Sequence, residues 1–221
     1  MKGGKDVNQF NQQQENRTVN PSVPPQLNHG AHEVLDVHEL LSAAQNAMNQ
    51  YRVLEQQCTC QELRDIIHRQ YRFMAQEYNT LLECLTTGKD PSMPTAQYKM
   101  QQGNNVEYGL KPGQPKKPIQ SPAEFNNEHI SAQMMTLMKT SAADKARAAC
   151  EVTNPVVRRV IADSVPNCCE MAYEIFLYQN KKGYYQVPQF PANVMQTMIA
   201  SYAPATPSGN TAPPNPQGPV Q

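Results

Sequence analysis

Apolar side chains recur every three or four residues along two long segments in the first half of the chain. The first segment, 33–57, carries a stripe wide enough for a helix that faces several neighbours in a bundle. The second stripe repeats from Leu63 to Leu85, and Gly88 followed by Pro91 is typical of a helix end. The first stripe consists of Val34, Val37, Leu40, Leu41, Ala44, Ala47, Met48, Tyr51 and Leu54.

The break between these two segments is very short. Thr59 and Glu62 have the spacing of a capping box, in which each side chain accepts a hydrogen bond from the backbone of the other residue. Two long helices joined by so few residues must turn back on each other. The pattern therefore predicts an antiparallel αα-hairpin over 33–87.

A second hairpin is predicted over 123–185. Its first helix runs to about Cys150, and Asn154 with Pro155 has the residue types of an N-cap and a first helical position. The helix that follows should be kinked by Pro166, which lacks a backbone N–H. A short further helix is predicted over 191–202. The inward positions of the fourth helix are Val157, Ile161, Ser164, Cys168, Met171, Ile175 and Tyr178.

A proline- and glycine-rich connection of 35 residues, 88–122, joins the two hairpins. It is long enough to run the length of a bundle, which would make the second and third helices parallel. An offset of 94 residues places Leu63 on Val157 and Ile67 on Ile161, so the hairpins resemble two copies of one unit. The predicted fold class is all-α, a ferritin-like four-helix bundle made of two αα-hairpins and a long crossover linker.

The two ends of the chain differ in composition from this helical domain, 30–203. Residues 1–29 are rich in Gln, Asn and Pro, and 204–221 are rich in Pro. Both tails are predicted to be disordered, because they cannot bury enough apolar surface to offset chain entropy. No apolar run suggests a secretory signal or a membrane span, so we expect synthesis in a cytoplasm and reduced thiols.

The formal charge gives information about partners. There are 19 Lys and Arg residues against 19 Asp and Glu residues, and no basic stripe is visible. Nucleic-acid binders usually need a basic excess to neutralise phosphates, so we expect no nucleic-acid partner. Weak like-charge repulsion instead favours a protein that assembles.

The sharpest chemical hypothesis for this topology is a di-iron centre, which needs inward carboxylates and a Glu-x-x-His motif on each of two helices. Asp65 and His68 give the nearest match, but the fourth helix contains no histidine. His29, His32 and His38 are interpreted as capping and solvated residues rather than as metal ligands. The sequence therefore predicts no catalytic, cofactor-binding or metal-ligating residue and no cofactor. It also predicts that the protein is not an enzyme. Other carboxylates and imidazoles near helix starts are Asp36, Glu39, Glu128 and His129.

Three segments carry a family resemblance: HGAHEVLDVHELLSAAQNAMNQYRVL (29–54), ELRDIIHRQYRFMAQEYNTLLECLTTGKDP (62–91) and NPVVRRVIADSVPNCCEMAYEIFLYQNKKGYYQVP (154–188). They resemble the spore coat protein F family (Coat F domain) of endospore-forming bacteria. The resemblance covers about 30–190 and leaves out both tails. It implies a helical, ferritin-related domain and supplies no catalytic residues.

The same resemblance implies a function and a location. We expect a non-enzymatic structural component of the spore coat, made in the mother-cell cytoplasm and assembling with other coat proteins and with itself. Nucleic acid, membrane insertion and a small-molecule substrate are not expected. Two alternatives stay open: a ferritin-like metal-binding oxidase, and an adaptor that anchors another coat protein through the tails.

Covalent incorporation into an insoluble shell is a further hypothesis. Thiols reduced in the mother cell become oxidisable once that cell lyses. Phenols in flexible segments suit oxidative coupling, and tails bearing Gln and Lys suit isopeptide bonds. The residues concerned are Tyr98, Tyr108, Tyr184, Tyr185, Tyr202, Lys2, Lys5, Gln12, Gln13 and Gln14, together with the six cysteines.

Overall fold

The structure, a computed structural model, describes residues 22–27 and 29–205, so most of the two predicted tails lies outside the described residues. The described chain is helical, and the predicted helices are all present close to their predicted bounds. Two one-turn 3-10 helices, Pro25–Leu27 and Pro122–Glu124, accompany them. The α-helices are α1 (Ala31–Gln57), α2 (Gln61–Thr87), α3 (Asn127–Glu151), α4 (Pro155–Lys181) and α5 (Ala192–Ala200).

The chain divides into two compact units, Met1–Val187 and Pro188–Gln221. Helices α1 to α4 belong to the first unit and α5 to the second. Within the second unit, α5 exposes apolar side chains, including Met198 and Ile199. No β-strand occurs in the described ranges, where pairing is limited to isolated bridges at Val187. In the same ranges no helix is both long enough and apolar enough to cross a membrane.

Each helix of the four-helix bundle packs against two others. The contacts join α1 with α2, α3 with α4, α1 with α3, and α2 with α4. Asp36 near the start of α1 lies beside Arg147 near the end of α3, and Glu62 at the start of α2 pairs with Lys181 at the end of α4. Neighbouring helices are therefore antiparallel, and α2 and α3 run in the same direction. This confirms the predicted ferritin-like arrangement with a long crossover.

The crossover linker follows α4 from one end of the bundle to the other. The Thr95 hydroxyl bonds Asp163 early in α4, and the backbone N–H of Gly109 bonds the carbonyl of Val187 beyond its end. Tyr98, in the first half of the linker, is buried. The long connection is thus a packed part of the fold, because α2 and α3 can be parallel only if the chain returns along the bundle.

The helix starts show one confirmed cap and one that was wrong. The Asn154 side chain accepts from the backbone N–H groups of Val156 and Val157 at 3.0 and 3.4 Å, as the N-cap prediction requires. The predicted capping box at Thr59 does not form, and the N-cap of α2 is Cys60. The Thr59 hydroxyl instead accepts from Asn127 at 2.8 Å, a tertiary partner that competes with the local one.

The core confirms the pattern of α4 and corrects that of α1. All seven predicted inward positions of α4 are buried, and Leu63 and Val157, which the repeat equates, are both fully buried. In α1, by contrast, Val34 is 42% exposed and Leu41 is only half-buried. The buried face of α1 is instead centred on Val37, Leu40, Ala47, Tyr51 and Leu54.

Candidate functional site

A polar cluster around Glu174 of α4 occupies the interior of the bundle. Glu174 is fully buried, and its carboxylate receives four hydrogen bonds. One oxygen accepts from the Arg69 guanidinium and from the backbone N–H of Gln101 at 3.0 Å. The other accepts from the Tyr98 hydroxyl and from Nε2 of Gln70 at 3.1 Å. The carboxylate therefore ties α2, α4 and the linker together, and its acceptor capacity is filled.

Tyr51 extends this cluster to α1. Its hydroxyl donates to Gln70 at 2.6 Å, and Gln70 donates in turn to the backbone carbonyl of Met171 at 3.1 Å. Burial raises the pKa of Tyr51 and, together with the hydrogen bond to Glu174, raises the pKa of Tyr98. Both phenols are therefore neutral donors at neutral pH.

Two asparagines of α4 hold the linker by its backbone. The Asn167 side chain accepts from the N–H of Tyr98 at 2.8 Å and donates to the carbonyl of Ala96 at 2.9 Å. Asn180 accepts from the N–H of Glu107 at 2.7 Å and donates to its carbonyl at 2.9 Å. Each amide thus satisfies two groups of an extended chain that has no strand beside it.

A half-buried ion pair lies farther along the same helices. Nζ of Lys145 lies 3.0 Å from the Glu77 carboxylate, which also accepts from Asn167 at 2.8 Å. Burial alone would lower the pKa of Lys145, but the neighbouring carboxylate outweighs it and the pKa is raised. The ion pair therefore connects α2 with α3, and the Asn167 amide connects it to α4.

A second saturated carboxylate, Glu33, lies at the opposite end of the hydrogen-bonded interior, where α1 begins. One oxygen accepts from the N–H and hydroxyl of Thr153, at 3.0 and 2.6 Å, and from the N–H of Asn154 at 2.8 Å. The other bonds Nδ1 of His29 at 2.7 Å, and Nε2 of that ring bonds the carbonyl of Leu85 at 2.8 Å. The buried His29 ring therefore connects α1 with α2 and is not the solvated residue that the sequence suggested.

The residues considered for a di-iron centre do not meet in the interior. Asp65 is exposed and accepts from Gln61 at 2.7 Å. The His68 ring bonds Glu55 and is 41% exposed. Both lie on the outer face of α2, because the inward positions of that turn are occupied by apolar residues.

The thiols and phenols fall into buried and exposed groups. Cys58, Cys84 and Cys168 are buried, Cys60 is half-buried, and Cys150 and Cys169 are exposed. Burial raises the pKa of Cys84 to about 11. The placement of Tyr98 among flexible, accessible phenols was wrong, since the linker packs it against α4. The exposed phenols are Tyr108, Tyr173, Tyr185 and Tyr202, and the proposed tail residues Lys2, Lys5, Gln12, Gln13 and Gln14 lie outside the described residues.

Sequence reasoning did not find Glu174, Glu33, Asn167 or Asn180. Each is a polar residue next to inward apolar positions of a long helix. Such interruptions indicate that a buried partner exists, because an unpaired polar group in a core is costly. They do not identify the partners, which in every case include groups from a distant part of the chain.

Comparisons with known proteins agree with this architecture. The Coat F domain matches residues 126–188, which include α3 and α4. The spore coat protein F-like protein YhcQ of Bacillus subtilis (strain 168) is 46% identical over 201 residues, 90% of this chain and 92% of that protein. The crystal structure of a candidate spore coat protein of Bacillus halodurans C-125 superposes with a TM-score of 0.55, covering 74% of this chain and 96% of that one.

The crystal structure is 18% identical in sequence, so its likeness concerns the fold alone. The class of protein is thus a ferritin-like helical bundle with a packed crossover linker. The 46% identity with YhcQ, over 90% of this chain, shows the family as well as the fold. The chain belongs to the spore coat protein F family.

Proposed function

We propose that this protein is a non-enzymatic structural component of the bacterial spore coat, assembling with other coat proteins and with copies of itself. The observation that carries the proposal is the 46% identity, over 90% of the chain, with a spore coat protein F-like protein. The interior supports a structural role. Glu174 and Glu33 are used up in holding helices and linker together, so neither offers a free group for catalysis.

The test of location is a fluorescent fusion of the full chain followed through sporulation. A ring of fluorescence around the forespore is expected, and uniform fluorescence in the mother cell would contradict the proposal. Ile161→Asp provides the control for dependence on the fold. It places an unpaired charge at a fully packed position and should unfold the bundle and abolish the ring.

Covalent incorporation is proposed to follow through the exposed thiols Cys150 and Cys169. A disulfide between two chains forms when two thiols give up two protons and two electrons to an oxidant, here dissolved oxygen after the mother cell lyses. The buried thiols are poor candidates, since no partner can reach them and burial disfavours the thiolate, as at Cys84.

Extraction of mature spores tests this step. Detergent alone should leave the wild-type protein in the coat, and detergent with reductant should release it as a 24.8 kDa chain. A Cys150→Ser, Cys169→Ser double variant should be released by detergent alone, whereas Cys84→Ser should behave as wild type. Release of the wild type by detergent alone would rule out covalent incorporation, and retention of the double variant would assign the links to other groups.

A further inference from the structure

Three side chains with metal-binding chemistry converge where α1 begins and α3 ends. His32 and Asp36 lie one turn apart on α1, and Glu151 is the last residue of α3. Nδ1 of His32 lies 3.4 Å from Oδ2 of Asp36 and 3.3 Å from Oε2 of Glu151. One ligand atom from each residue lies within 4.8 Å of the other two.

Asp36 differs from the other buried carboxylates of the bundle. Its side chain is only 6% exposed, and within residues 22–27 and 29–205 its Oδ2 atom has no hydrogen-bond partner. A buried, unsatisfied acceptor costs about 1–3 kcal/mol, and more when it is charged. This oxygen points at His32 and towards Glu151, so it indicates a ligand at the point where the three groups meet.

The separations fit a metal better than direct hydrogen bonds. A nitrogen that donates to a carboxylate normally lies about 2.7–3.2 Å from it, which is shorter than both distances to His32. Ligands about 2.0–2.2 Å from a tetrahedral Zn²⁺ are separated from each other by roughly 3.3–3.6 Å. The distances of 3.4 and 3.3 Å from His32 to Asp36 and Glu151 are therefore those of two edges of such a site.

We propose that His32, Asp36 and Glu151 bind one divalent cation that accepts nitrogen and oxygen ligands, Zn²⁺ foremost, with water in the remaining position. The site departs from the sequence-based expectation of no metal ligand. It joins the first hairpin to the second at the end of the bundle, so its role is to clamp α1 against α3.

The surrounding charges favour a cation. Three carboxylates, Asp36, Glu39 and Glu151, surround the single guanidinium of Arg147. Arg147 approaches Asp36 at Oδ1, 3.5 Å away, and leaves Oδ2 open. With a neutral His32 ring the group carries a net charge of about −2, which a divalent ion would neutralise.

The test is titration of the purified full chain, first stripped with a chelator, with Zn²⁺ and separately with Co²⁺. One equivalent of Zn²⁺ should bind, and at 100 times its dissociation constant it should raise the melting temperature by about 5 °C. Co²⁺ should give a visible spectrum without the charge-transfer band of thiolate ligation. His32→Ala is suited to the test because His32 is 69% exposed, so its loss should not unfold the chain.

His32→Ala and Glu151→Gln should each weaken Zn²⁺ binding at least tenfold and remove the gain in melting temperature. His38→Ala is the matched control, since it removes another exposed histidine of α1, and it should bind as wild type. Wild-type affinity in His32→Ala, a thiolate spectrum with Co²⁺, or no binding at millimolar Zn²⁺ would each overturn the proposal.

Discussion

Glu174 and Asp36 are both buried carboxylates, but their surroundings differ. Glu174 accepts from four donors supplied by α2 and the linker. Asp36 faces an imidazole and a second carboxylate, and in the described part of the chain one of its oxygens has no donor. Where donors converge, the carboxylate is part of the scaffold; where they do not, it is available to a ligand.

Glu33 makes the comparison stricter, because it lies only three residues before Asp36 on the same helix. Its donors include two backbone N–H groups at the break before α4, which need satisfaction at any helix start. The side chains of Glu33 and Asp36 are both buried, and both residues lie on α1. The supply of donors is what separates a structural role from a proposed binding role.

The largest loss of stability is expected for Glu174→Gln, which tests whether Glu174 is a structural residue. This change leaves the Arg69 guanidinium, which is mostly buried, without its charged partner, so we expect a loss of about 3–5 kcal/mol in the free energy of unfolding. Urea denaturation followed by circular dichroism measures it. Glu170→Gln, one turn earlier on α4, is the matched control and should change stability by less than about 0.5 kcal/mol. Equal, small effects of the two substitutions would show that Glu174 does not hold the helices and the linker together.

Alkaline pH should act on the same cluster. The pKa values of Tyr51 and Tyr98 are raised in the folded state, so above their unfolded pKa of about 10 unfolding releases protons and stability falls. Each tyrosine contributes a loss of about 1.4 kcal/mol per pH unit until its folded pKa is reached. Melting temperatures between pH 8 and 11 should decline less steeply in Tyr51→Phe than in wild type, and parallel curves would contradict this.

Glu33→Gln tests the second saturated carboxylate. The amide oxygen can keep the bonds to Thr153 and Asn154, and the amide N–H group can donate to Nδ1 of His29, but none of these bonds is then made by a charged carboxylate. A loss of about 1.5–3 kcal/mol in the free energy of unfolding is expected. Glu39→Gln, at an exposed position on α1, should have almost no effect in the same denaturation experiment.

Asp36→Asn should have the smallest effect when a chelator is present. No buried donor depends on Oδ2, and the nearby Arg147 is half-exposed and keeps Glu39 and Glu151 as partners. The free energy of unfolding should change by less than about 1 kcal/mol, measured by urea denaturation. A loss above about 2 kcal/mol would show that Asp36, like Glu174, has a structural role in holding the bundle together.

The sequence by itself determined the helices and their order. Periodicities of three and four residues located all five helices, and Asn154 with Pro155 located the start of α4, because these signals act within one or two helical turns. The length of the linker was enough to predict parallel α2 and α3. These features depend on residues that are close together in the chain or on the distance that a linker of given length can span.

Only the tertiary structure decided which polar groups are paired. The partners of Glu174 include Arg69, 105 positions away, and Glu33 bonds Thr153, 120 positions away. Long-range contacts also give the Thr59 hydroxyl a tertiary partner in place of its local cap, bury Tyr98, and determine which face of α1 points inward. A donor is identified only when packing brings distant segments together, because a hydrogen bond is sensitive to tenths of an ångström and to angle.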